Sequence, residues 1–66
     1  MPTLTSLRWW RERRAFSQDE LADRACLSRS TVQQAEAGRP VQPRTARKLA
    51  RHLNTSPARL MEAPAD

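Results

Sequence analysis

Arg29, Ser30, Gln33 and Gln34 are the side chains in this 66-residue chain best suited to recognising another molecule. An arginine fork matches the O6 and N7 acceptors of guanine, and a glutamine amide matches the N6 donor and N7 acceptor of adenine. Each such bidentate pair is worth about 1–3 kcal/mol of discrimination. In a helix over positions 29–37, Val32 and Ala35 face inward, Leu27 anchors the preceding turn, and the four polar groups stand outward. A solvated helix face looks the same in isolation, so the elements around these residues must decide between the two readings.

Covalent chemistry finds little support. The carboxylates are scattered among arginines, no nucleophile stands at a suggestive spacing from a base, and no glycine-rich phosphate loop is present. Cys26 and His52 lack companions at metal-ligand spacing, so neither a metal nor another cofactor is expected. Cys26 reads as a small, partly buried residue, and a lone cysteine fits a reducing setting. No apolar run approaches the ~18 residues of a membrane span, and the N-terminus lacks the apolar stretch of a signal peptide. The formal charge is +5 and is unevenly spread. Residues 1–38 carry six cations and five anions, whereas residues 39–66 carry six cations and two anions. Such a balance suits a polyanionic partner.

The elements that position the four polar groups begin at Phe16. Ser17 stands three residues before Glu20, the signature of a capping box. Leu21, Ala22 and Ala25 then recur at helical spacing, which predicts a helix over 18–25. After a break at Cys26 and Leu27, Ser28 is placed to cap the next helix. Two short helices joined by so tight a turn form a helix-turn-helix, whose second helix enters the DNA major groove.

Gln18, the Leu21-Ala22 pair, Ala25, the run Ser28 to Thr31, Val32, Glu36 and Gly38 together resemble the DNA-binding domain of phage Cro and CI-type repressors, the Xre-like family. The likeness continues through Pro43, Leu49-Ala50, Leu53 and Leu60, covering about Leu4 to Met61. It implies an all-α, compact five-helix, lambda-repressor-like domain. Arg29, Ser30, Gln34 and Gln18 then match the positions that reach base edges. Gln18, whose neighbouring helix N-terminal N–H groups can also bind phosphate, is joined on the backbone side by Ser28, Gln33, Arg39, Gln42, Arg44 and Arg47. Arg11 and Glu36 correspond to a structural ion pair that locks the first helix to the third. The clearest departure is Cys26, which stands where the family has glycine in the turn; Ala35 is also smaller than the Leu or Ile common at its position, leaving space for Trp10 to fill.

The resemblance further implies a sequence-specific, double-stranded DNA-binding transcriptional regulator, most simply a repressor that occludes a promoter, and no enzyme. A homodimer on a pseudo-palindromic operator follows from the few base contacts one recognition helix can offer. Its surface is expected at the loop before the fourth helix and at the fifth, with Leu60, Met61 and Trp9 as thin apolar contacts. The implied setting is the cytoplasm of a bacterium, with the protein encoded by host or phage and nucleoid-associated when bound. One alternative is an antitoxin or partner-regulated DNA binder that also holds a toxin or antirepressor protein. Another is a protein-binding module that kept the fold and lost DNA. Neither alternative involves a membrane.

The remaining elements follow from local signals. Residues 1–3 are expected to fray, and a helix begun by Thr3 or Thr5 runs to about Arg14, with Leu4, Leu7 and Trp10 as its packing stripe and Trp9 half exposed. Gly38 ends the recognition helix, and Pro43 opens an amphipathic helix with Ala46, Leu49, Ala50 and Leu53 on one face. Arg44, Arg47, Lys48 and Arg51 form its other face. Asn54 takes a left-handed conformation at its end, Thr55 or Ser56 caps a short last helix, and Leu60 and Met61 supply that helix's apolar contact. The chain therefore reads as one domain over 1–66, with a core over 4–61 and a loose tail over 62–66.

Overall fold

A computed structural model describes residues 1–62, which form five helices: α1 (Leu7–Arg13), α2 (Gln18–Arg24), α3 (Arg29–Glu36), α4 (Pro43–His52) and α5 (Pro57–Met61). The fold is all-α, and the β-type pairing found among the described residues is an isolated bridge between Thr3 and Pro40. Residues 63–66 of the expected tail lie outside the described residues, and Glu62 is exposed.

The apolar spacing of each helix decides what it buries. Leu4 and Leu7 from the start of the chain, Leu21, Ala22 and Ala25 from α2, Val32 and Ala35 from α3, and Ala46, Leu49, Ala50 and Leu53 from the α4 segment converge on one core, closed by Leu60. α2 packs on α3 and α4, α1 on α3 and α5, and α4 on α5. Trp10, Phe16 and Leu27 seal the margins. Arg13 and Arg14 lie over the rings of Trp9 and Trp10, and the two indoles meet edge to face at 5.1 Å. The tryptophan pair is thus used in packing on α1, with Trp9 half-buried.

The first four helices end in one way. In each, a backbone N–H reaches back five residues, from Phe16 to Arg11, Leu27 to Ala22, Arg39 to Gln34 and Thr55 to Ala50. The residue before that N–H has positive φ: Ala15 at 59°, Cys26 at 57°, Gly38 at 89° and Asn54 at 57°. This is the Schellman closure, and it turns the chain sharply enough to keep successive helices in contact. Glycine suits the position and asparagine tolerates it. Alanine and cysteine each carry about 1–2 kcal/mol of steric cost there.

Four local expectations need correction. The segment expected to fray is docked from Pro2 onward: the Val41 N–H donates to the Pro2 carbonyl at 2.7 Å, which lays the chain on the α3–α4 loop beside buried Val41, while Met1 stays exposed. Neither Thr3 nor Thr5 opens α1. Its N-cap position is Ser6, and the Ser6 hydroxyl, itself buried, donates to the Arg59 and Leu60 carbonyls, while Thr5 donates to that of Met61. These hydroxyls tie down the end of α5, which at five residues is too short to hold itself. Cys26 is exposed because its Schellman position lifts it off the core. Met61 is also exposed, while Leu60 alone fills the core from α5.

Candidate nucleic-acid interface

The two-helix unit is fixed by caps at both helix starts. Ser17 Oγ accepts from the Glu20 N–H at 3.0 Å, and the Glu20 carboxylate accepts from the Ser17 N–H at 2.9 Å. These bonds to Ser17 hold the Glu20 carboxyl below its usual range. At α3, Ser28 Oγ accepts from the Thr31 N–H at 3.2 Å and pairs with the Thr31 hydroxyl at 2.8 Å. The Ser28 hydroxyl is therefore committed to the cap in the free protein.

The far end of α3 is held by charge. Glu36 Oε2 accepts from Arg11 Nε at 2.5 Å and Oε1 from Arg11 Nη2 at 3.2 Å, while Arg11 Nη1 donates to the Phe16 carbonyl at 2.8 Å. Their side chains are only 12% and 7% exposed. The hydrogen bond to Glu36 outweighs burial and raises the Arg11 pKa further, so the guanidinium stays charged. This pair bolts α1 to α3 and fixes the angle at which α3 leaves the body.

Between these anchors stand the polar groups of the outward face. Arg29, Ser30, Gln33 and Gln34 are all exposed on α3, on the side away from buried Val32 and Ala35. Gln18, at the first position of α2, is half-buried; its Nε2 donates to Glu36 Oε1 at 3.1 Å, and its Oε1 accepts from Gln33 Nε2 at 3.4 Å. Arg29 Nε lies 3.5 Å from Asp19 Oδ1, with both groups largely exposed. By its place on the outer face of α2, Asp19 reads in the sequence as a solvated residue. The signal for its contact was opposite charge in the first turns of two helices that the tight turn brings together.

Arg39, Gln42, Arg44 and Arg47 follow on the loop and the start of α4, all exposed. Gln42 occupies the N-cap of α4 without a side-chain cap bond, and Pro43 follows at the first helical position. The N-terminal N–H groups of α4 therefore remain free for an outside acceptor. Arg44, Arg47, Lys48 and Arg51 line a cleft of about 430 Å3 whose floor includes Cys26. Gln18 is linked to the α3 face through Gln33, while Arg39, Gln42, Arg44 and Arg47 stand exposed on the loop and helix that follow. Lys48 and Arg51 extend the cationic stretch further than sequence reasoning claimed.

Two tightly joined helices, the second with Arg and Gln side chains exposed, capped by Ser28 and braced by a buried ion pair, define a helix-turn-helix DNA-binding regulatory domain. The helix-turn-helix family model matches residues 7–60, and the chain belongs to that family, in its Xre, Cro and CI type. Comparison with curated proteins and with solved structures returned no significant match. Among the described residues no group of three or more His, Cys, Asp or Glu side chains could hold a metal ion. No described helix is long and apolar enough to cross a membrane.

Proposed function

We propose that this chain is a sequence-specific regulator of transcription that binds double-stranded DNA with α3 in the major groove and acts as a repressor by occluding a promoter. The observation that carries the reading is the exposed row of Arg29, Ser30, Gln33 and Gln34 on a helix anchored at both ends. Arg29, Ser30, Gln34 and Gln18 are assigned to base edges. Gln18, Ser28, Gln33, Arg39, Gln42, Arg44 and Arg47 are assigned to phosphates, which set register without reading sequence.

One recognition helix of eight residues offers few base contacts, so the protein works as a homodimer on a pseudo-palindrome with half-sites about one turn (~34 Å) apart. Leu60 is fully buried and contributes nothing to that interface. This leaves half-buried Trp9 and exposed Met61 beside the loop before α4. So little apolar surface favours a dimer that forms on DNA. The antitoxin-like reading, in which the fold also holds a toxin or antirepressor, asks for a broader apolar patch near Trp9 or α5 than these residues supply.

Selection from a randomised duplex pool at several salt concentrations tests the reading. An enriched palindrome whose affinity falls steeply with salt is the expected result. Weak binding without sequence preference would remove the specific-regulator reading and direct attention to a protein partner.

A further inference from the structure

The family resemblance sets Gln34 among the base readers and Gln33 on the backbone side, but the geometry of α3 gives no ground for separating them. At about 100° per residue, Val32 and Ala35 define the inward direction, and Gln33 and Gln34 then lie about 50° to either side of the outward one. Val32 and Ala35 are both fully buried, which fixes that axis. The two glutamines differ in their neighbours. Gln33 leans toward α2 and is held there by Gln18.

The hold has a direction. Glu36 bonded to Arg11 can only accept, so the Gln18 amide must turn its NH2 inward to Glu36, as it does at 3.1 Å. Its carbonyl oxygen is then committed to the outer side, where it accepts from Gln33 Nε2 at 3.4 Å. That in turn sets the Gln33 amide, with one N–H donating to Gln18 and the other N–H and Oε1 open. The open pair is one donor beside one acceptor, the pattern complementary to N7 and N6 of adenine. A buried charge pair at the back of the domain thereby fixes the polarity of two amides in series.

We propose that Gln33 is a specificity-determining residue that reads an adenine, and that Gln18 is its positioning residue, oriented by the buried Arg11–Glu36 pair. The proposal rests on the DNA-binding reading above and assigns Gln33 to a base where that reading has phosphate. It also makes Gln18 act through Gln33 as well as on its own account. An amide already turned to the orientation it needs loses less freedom on binding, which favours tight reading of one base pair.

The test is selection from a randomised duplex pool with the full chain and with Gln33→Ala, Gln18→Ala and the double variant, alongside a thermal melt of each. Both positions lie outside the apolar core, and alanine is a good helix former, so the folded state is retained. The unaltered chain is expected to enrich A·T at a position where Gln33→Ala lowers the preference roughly 5- to 150-fold, the range of one bidentate contact. Gln18→Ala should relax that same base pair, beyond what it loses on its own account elsewhere, and at that pair the double variant should lose little more than Gln33→Ala alone. Uniform weakening by Gln33→Ala across all sequences would return Gln33 to the phosphate backbone and overturn the proposal. Relaxation by Gln33→Ala with Gln18→Ala leaving that pair intact would overturn the positioning role. If the unaltered chain enriched no sequence at all, the specific-regulator reading would fall, and this proposal with it.

Discussion

The α2–α3 unit and α4 treat their polar side chains in opposite ways. On α2 and α3, Gln18, Gln33 and Glu36 are linked to one another and to Arg11, and Arg29 leans on Asp19. On α4, Arg44, Arg47, Lys48 and Arg51 line an open cleft, and none belongs to a salt bridge found among the described residues. The difference matches the roles proposed for the two surfaces. Distinguishing base edges demands donors and acceptors held within a few tenths of an ångström, so fixing them during folding removes a cost from binding. Attracting a phosphate backbone needs charge near a surface, and a mobile arginine supplies that as well as a fixed one.

The sharpest way to break the ordered side is to remove its buried carboxylate. Glu36→Ala leaves the Arg11 guanidinium, 12% exposed, without its partner, and such a loss costs about 3–5 kcal/mol. For a domain of this size that is much of its total stability. Urea denaturation followed by circular dichroism should therefore show Glu36→Ala largely unfolded at room temperature or with a midpoint far below that of the unaltered chain. A loss under about 1 kcal/mol, the worth of an ordinary hydrogen bond, would mean that the pair is not what fixes α3.

The unpaired cationic side should respond differently. Replacing Arg44 and Arg47 together by alanine is expected to leave the fold intact, because two like charges spaced i, i+3 are removed from a repelling row. Affinity should fall alike for preferred and random duplexes, and the slope of log affinity against log salt should shrink by about two units, one per phosphate released. Fluorescence anisotropy over a salt series measures both. An unchanged slope would take α4 off the DNA path and sever the comparison drawn here.

The four Schellman turns sharpen it from another direction, since they hold all of these surfaces with the same geometry and different residues. Cys26→Gly and Ala15→Gly should each raise stability by about 1 kcal/mol by relieving a left-handed side chain. Asn54→Gly should change it less, as asparagine already tolerates the position, and Gly38→Ala should lower it by about the same 1 kcal/mol. For Gly38 a Cβ would meet no neighbour, so only its backbone conformation opposes substitution. Thermal melts of the four variants measure this. A destabilising Cys26→Gly would assign the thiol a packing role that its exposure does not suggest.

Much of this was legible in the chain because it rests on short-range signals. Ser17 with Glu20, Ser28, Gly38 and Pro43 mark helix ends by chemistry confined to one turn, and the structure has them there. What escaped reading depends on contacts far apart in sequence. Thr5 and Ser6 look like helix starters, yet their hydroxyls serve carbonyls more than fifty residues away. Pro2 and Val41 pair across a loop that carries no strand pattern. Ala15 gives no hint of a left-handed turn, since alanine is the best right-handed helix former and its side chain carries no turn signal. The Gln18–Gln33 contact needed α2 and α3 set at a definite angle before the two glutamines could be seen as neighbours.

The smallest effect expected is also the one that isolates a single cap. The Glu20 carboxyl lies below its ordinary pKa because it accepts from Ser17 at the start of α2. A group whose pKa is depressed on folding adds stability that is fully present above its unfolded pKa, near 4.5, and that is lost as pH falls through the lower folded value. Glu20→Gln keeps a neutral acceptor that can still close the box, but it cannot titrate. The unaltered chain should therefore melt slightly higher than Glu20→Gln at neutral pH, and the gap should close as pH drops below about 4.5. The two proteins differ at this carboxylate alone, so the difference isolates it. A gap that stayed constant down to pH 3 would show that the carboxylate's charge adds nothing to the cap, leaving Ser17 to hold the helix start on its own.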